Sequence, residues 1–162
     1  MEIRTGDTYD PRVIALLDHH VTTARAHTEP GSAHALDLAG LRAPDVAFWT
    51  GWDGETLVAT GALKVLSPDH GEVKSMHTVE AARRRGFAGR MLRHIIDQAR
   101  ARNMARLSLE TGSWDYFRPA HALYQAHGFT FCRPFEGYVE DRNSLFLTLE
   151  LTPLDMRSSG CA

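Results

Sequence analysis

The alternation of apolar and polar positions changes period along the chain, and each change marks an element. Residues 2–5 read as a short first strand. After them Val13, Leu16, Leu17, His20 and Val21 recur on one helical face, with Asp10 as N-cap and Pro11 at the first helical position. The stretch EPGS at 29–32 breaks that helix, and Ser32 to Leu41 is expected to form a second short helix closed by Gly40. Strand-like runs at 46–54, 56–66 and 72–79 follow, separated by Asp53-Gly54 and by the turn SPDHG at 67–71, and should form an antiparallel meander. The period then turns helical: Ala88, Met91, Leu92, Ile95, Ile96 and Ala99 share a face through about residue 102. The strand 105–111, reached through a helix, should run parallel to 72–79 by a right-handed crossover. A last helix in RPAHALYQAHGF, with Pro119 near its start and Gly128 as its left-handed end, precedes two strands, FTFCR and SLFLTLEL. The pattern predicts one mixed α/β domain over 1–152 with a single central sheet, and a tail over 153–162.

Composition narrows the function. The chain has 162 residues, 43% of them hydrophobic, enough for one real core. Lys and Arg number 18 against 20 Asp and Glu, a net charge of -2, so no global field favours a membrane or nucleic acid, and anion binding must be local. Cys132 and Cys161 make neither a metal spacing nor a disulfide framework. With no long apolar run and no signal-peptide core, the expected location is the cytoplasm.

The chemistry concentrates in one turn. Arg83, Arg84 and Arg85 precede Gly86, and Ala88-Gly89 open the helix behind them. A helix N-terminus leaves N–H groups free, small residues let a phosphate approach, and guanidinium groups add charge-assisted hydrogen bonds. The turn is neither G-x-x-x-x-G-K-[ST] nor G-x-G-x-x-G. A nucleic-acid patch is the competing reading, but nothing else in the chain continues it.

Arg83-Arg84-Arg85-Gly86-Phe87-Ala88 resembles the pyrophosphate loop Q/R-x-x-G-x-G/A of the GNAT superfamily of acetyl-coenzyme A-dependent N-acetyltransferases, and LYQAHGF at 123–129 is similar to its LYxxxGF signature. The likeness spans roughly residues 45–150; Glu80 departs from it, since many members carry proline there. The resemblance implies the GNAT fold, with a mostly antiparallel sheet, helices on both faces, and strands 72–79 and 105–111 splayed apart. It implies acetyl-CoA as co-substrate, its pantetheine arm along main-chain groups of Met76, His77 and Thr78. The diphosphate is then expected on the amides of Arg84 to Arg90, through Arg85, Gly86, Phe87, Ala88 and Gly89, beside Arg83, with the Phe87 ring packed inward.

Acetyl transfer to an amine needs a base for the ammonium, a donor for the oxyanion and an acid for the departing thiolate. The resemblance makes Glu72, at the start of the cofactor strand, the base candidate, its bland alternative being a carboxylate paired with Lys74. It makes Tyr124 the acid candidate, beside the coenzyme sulfur. His77 is in phase with Val73 and Ser75 unless a bulge intervenes, and reads as a proton relay or, more simply, a satisfied core histidine. His121 and His127 face apart, no H-E-x-x-H is present, and no metal is expected. Cys132, on a strand, reads as core and not as a nucleophile. The polar-aromatic loops 112–121 and 134–143 supply Trp114, Tyr116, Phe117 and Tyr138 as pocket walls, Glu136, Glu140 and Asp141 as attractors of a cation, and His34 reaching in from the second helix. The expected acceptor is a small-molecule or peptide amine, attacked in a ternary complex; the sequence leaves the oligomeric state open, and the resemblance adds only that members of the superfamily often form homodimers. The alternative is a non-catalytic coenzyme A sensor of the same fold.

Overall fold

The computed structural model describes residues 1–152; the expected tail and Cys161 lie outside the described residues. Seven strands form one sheet in the order β1-β2-β3-β4-β5-β7-β6. They are β1 (Glu2–Thr5), β2 (Val46–Asp53), β3 (Thr56–Ser67), β4 (His70–Thr78), β5 (Arg106–Gly112), β6 (Thr130–Cys132) and β7 (Ser144–Glu150). The helices are α1 (Pro11–Ala26), α2 (Leu38–Leu41), α3 (Phe87–Ala101) and α4 (Arg118–Ala126). The expected mixed α/β sheet and its meander β2-β3-β4 are present, with every pairing antiparallel except that of β4 with β5.

Local chemistry sets the ends of these elements. Asp10 lies in extended backbone and its carboxylate accepts the Arg12 amide at 2.8 Å, capping α1 directly before Pro11. Gly86 opens α3 at φ 79° and Gly128 follows α4 at φ 93°, positions that favour a residue without Cβ. The β3–β4 turn is tighter than the expected 67–71: Ser67 pairs with His70, leaving Pro68 and Asp69 between the strands, and the Ser67 hydroxyl donates to Asp69. The second helix is shorter than expected, because Asp37, not Ser32, caps it through the Gly40 amide at 2.9 Å. Residues 32–37 spend their polar groups on distant partners instead: Ser32 donates to Asp141 and the His34 carbonyl accepts from Lys74.

Successive residues of a strand face opposite sides, so β3 feeds two cores. Leu63 joins Met91, Leu92 and Ile95 of α3 with Leu107, Leu109, Phe129 and Leu147. Ala62 joins Val13, Leu16 and Leu17 of α1 with Phe48, Trp52 and Leu57. The helix α3 lies so close to β3 that a Cβ added at Gly61 would stand 2.8 Å from side-chain carbons of both Ile95 and Met91.

The strand β4 carries the main irregularity. Ala62 pairs with Lys74 and Thr60 with His77, so β4 spends one residue more than β3 over this span. The surplus is a bulge at Ser75, which sits at φ 55°. The parallel pairing of β4 with β5 covers only His70–Arg106, Gly71–Leu107 and Glu72–Ser108. Beyond it the strands part, as the resemblance implied.

Gly61→Val should drive a branched side chain into α3 and lower stability by about 2 kcal/mol. Urea unfolding followed by circular dichroism measures it; a change within 0.5 kcal/mol, the ordinary scatter of a neutral substitution, would contradict this packing.

Candidate active site

The arginine-glycine turn follows a 3-10 turn at Glu80–Ala82 and ends at α3. Its first helical bond runs from the Arg90 amide to the Gly86 carbonyl. The amides of residues 84 to 89 donate to no acceptor among the described residues. They form a row of main-chain donors at the positive end of the α3 dipole. The arginines divide their labour. Arg85 pairs with Asp53 at 2.8 Å and lies over the Phe87 ring, and Arg90 donates to the Met1 carbonyl. Arg83 and Arg84 have no side-chain partner among the described residues, so they remain free for an anion. Phe87 is buried in the larger core, which leaves only its amide for a ligand.

Where β4 and β5 separate, a cavity of about 130 Å³ opens between Val73–Met76, Glu110–Gly112, the segment Ser32–Ala35, His20, Phe117 and Tyr124. The Ser75 bulge reverses the side-chain phase beyond it. Val73 packs in the α3 core, whereas His77 faces α1, its Nδ1 3.1 Å from that of His20. Burial lowers His20 to about 4 and His77 to about 3, and at His77 the nearby Arg83 charge pushes the same way. Both rings are therefore neutral at pH 7, one donating to the other. His77 is a packed histidine in a side-chain hydrogen bond.

Glu72, only 3% exposed at its side chain, sits in a closed network. The Tyr138 hydroxyl donates to its Oε1 at 2.6 Å, and Lys74 Nζ approaches the same oxygen at 3.3 Å. Lys74 also donates to Tyr138 at 2.9 Å and to the His34 carbonyl at 3.0 Å. Glu72 thus has the lysine partner that its bland alternative named. Glu110, on the splayed part of β5, lines the cavity itself. Burial raises its carboxyl to about 7, against the Ser144 hydroxyl and the Lys74 cation, which both favour the charged form. Tyr124, buried on α4, lines the same cavity, and burial beside the Glu110 charge raises its phenol well above the ordinary tyrosine value.

The cavity thus brings together Tyr124, Met76, Phe117 and His34 from the expected set. Tyr138 stands behind it, edge-on to His34 at 5.1 Å. Trp114 and Tyr116 do not line it: the Trp114 indole N–H donates to Asn143, and Tyr116 stacks flat on His27 at 3.8 Å. Asp141 is bonded by Ser32 and Asn143. Sequence reasoning missed Glu110, although its signal was visible as a lone carboxylate in the apolar strand LSLET.

The family model described as Acetyltransferase (GNAT) family matches residues 14–129. The chain belongs to the GNAT acetyltransferase family. YsnE of Bacillus subtilis, named an uncharacterized N-acetyltransferase, is 44% identical over 93% of this chain and 100% of its own. YedL of Escherichia coli, named likewise, is 47% identical over 92% of this chain and 94% of its own. The crystal structure of a GNAT family acetyltransferase from Elizabethkingia anophelis with acetyl-CoA bound matches with a TM-score of 0.68 at 18% identity, over 93% of this chain and 97% of that one. No helix among the described residues is long and apolar enough to cross a membrane. On β6, the Cys132 thiol is raised by burial, so it is held as the protonated form, a poor nucleophile.

Lys74→Met should cost about 3 kcal/mol, because it leaves the Glu72 carboxylate buried without its cation. The double variant Lys74→Met with Glu72→Gln should recover part of that loss in urea unfolding. An equal or larger loss in the double variant would show that the ion pair is not what stabilises this wall.

Proposed function

We propose that the chain moves an acetyl group from acetyl-CoA to the amine of a small molecule or peptide, by direct attack in a ternary complex. The observation that carries this reading is the row of amides at residues 84 to 89 that donate to no acceptor among the described residues, at the N-terminus of α3. Residues of the turn fit a diphosphate: main-chain donors without Cβ obstruction at Gly86, and the free guanidinium groups of Arg83 and Arg84. The β4 main chain at Met76, His77 and Thr78 faces the opening where β5 no longer pairs, and suits the pantetheine arm. Bound there, acetyl-CoA supplies the acetyl group as a thioester.

Glu110 is the general base of this reading. A carboxyl near 7 is half ionised at neutral pH and matched to taking a proton from an ammonium that approaches it. Tyr124 is the general acid. Its raised phenol stays protonated and can hand its proton to the departing sulfur. Glu72 holds Lys74 and Tyr138 in place behind the cavity and acts by positioning. An amide of the bulged segment Met76–Thr78 serves the developing oxyanion.

Acetyl-CoA at about 100 times its dissociation constant should stabilise the protein by roughly 2.7 kcal/mol in a thermal melt. Gly86→Glu should abolish that shift, since a carboxylate then occupies the anion seat. A full shift in Gly86→Glu would move the diphosphate elsewhere, and no shift in the wild type would remove the reading.

Turnover measured by thiol release should rise with pH through about 7, as Glu110 ionises. Glu110→Gln should lose that limb and about 10²–10⁴-fold in kcat. Tyr124→Phe should lower kcat more than it raises the acetyl-CoA KM. A Glu110→Gln enzyme with an unchanged pH profile would return the base role to another group. Coenzyme binding without thiol release across amines would instead favour a coenzyme A sensor.

A further inference from the structure

Lys74 is the one lysine or arginine that lines the acceptor cavity among the described residues. A buried cation beside an amine site suggests an anchor for a substrate carboxylate. The geometry points the other way. An ammonium has three N–H donors and no acceptor. Those of Lys74 are directed at Glu72 Oε1 at 3.3 Å, the His34 carbonyl at 3.0 Å and the Tyr138 hydroxyl at 2.9 Å. The side chain is only 9% exposed, so water has little part in the arrangement. No donor direction is left for a ligand.

The other cations nearby are committed as well. Arg142 pairs with Glu29, and the guanidinium groups of the turn belong to the diphosphate seat. Of the cavity's two imidazoles, His20 is neutral and bound to His77. His34 packs edge-on against Tyr138, and its main chain, not its ring, meets Lys74. The carboxylates are less compensated. Glu110 faces the cavity, and its neighbours include the charges of Glu72 and Asp141. An acceptor carboxylate would enter acidic surroundings and meet no lysine or arginine with a free donor in the cavity lining. Ser75 on the bulge lines the cavity, and its buried hydroxyl has no hydrogen-bond partner among the described residues, so a neutral polar group that reached it would supply the missing partner.

From this we infer, resting on the acetyl-transfer reading above, that the acceptor is a compact amine without a carboxylate, bearing a neutral hydrogen-bonding group such as a carboxamide near the amine. The committed Lys74 excludes free amino acids, and the Ser75 hydroxyl receives the neutral group. The reaction stays balanced: the amine nitrogen bonds the acetyl carbon, the carbon–sulfur bond breaks, one amine proton goes to Glu110 and one proton reaches the sulfur.

The test uses wild-type protein and matched pairs: glycinamide with glycine, alaninamide with alanine, phenylalaninamide with phenylalanine. Thiol release gives kcat/KM, expressed per unprotonated amine so that differing basicities cancel. The carboxamide should exceed the acid by tenfold or more in every pair that turns over. Ser75→Ala should reduce carboxamide turnover at least threefold while leaving the acetyl-CoA melting shift intact. A smaller preference, or an acid that matches its amide, overturns the inference. So does the failure of every carboxamide in a protein that acetyl-CoA still stabilises. Absence of that stabilisation marks the failure of the acetyl-transfer reading itself, a separate outcome.

Discussion

Three parallel pairs hold β4 to β5, from His70–Arg106 to Glu72–Ser108, and their ending at Glu72 is the constraint from which the site follows. A sheet that kept pairing would close its own interior. Here β4 is pulled out of register with β3 at Ser75, and its path departs from that of β5. The gap frees main-chain groups of β4 and admits a cavity lined by Glu110 and Tyr124. The energy to hold such a gap comes from both sides of it. Leu107, Leu109 and Leu147 pack against α3 below, and α1 packs on Phe48, Trp52 and Leu57 across the sheet.

The same gap decides the electrostatics. Glu72 lies where pairing is still intact, enclosed by Lys74 and Tyr138. Glu110 lies two residues past the last β4–β5 pair, where β5 is still paired with β7 but no longer with β4, and its carboxyl borders the cavity. Two carboxylates on adjacent strands therefore have different chemistry: one is neutralised by a lysine, and the other is poised near neutral pH.

How much of this was legible in the sequence depended on the range of the interactions. Periodicity located α1 and α3, and capping chemistry placed Asp10, Gly86 and Gly128, because each is decided within a few residues. The motif at Arg83–Ala88 located the turn that opens α3 for the same reason. The bulge was not legible: Ser75 is not a glycine, and its left-handed backbone is imposed by tertiary pairing, with its carbonyl held by Thr60. That shift turned His77 from the phase of Val73 toward α1. Glu110 escaped notice because a strand flanked by leucines reads as core, and only the splay exposes its carboxylate to a cavity. Trp114 and Tyr116 carry the composition of a pocket wall, but their partners Asn143 and His27 lie far away in sequence and draw them aside.

The wall over the cavity is tied by contacts between segments more than a hundred residues apart: Ser32 with Asp141, and Glu29 with Arg142 and Asn143. The diphosphate seat is built from one short uninterrupted stretch. The two halves of the site are thus inherited on different terms. On the proposed reading, coenzyme recognition travels as a local peptide word, whereas acceptor choice is written in a handshake between remote loops. Under that reading, exchanging a few polar side chains at the handshake would retune what is acetylated and leave the donor end untouched.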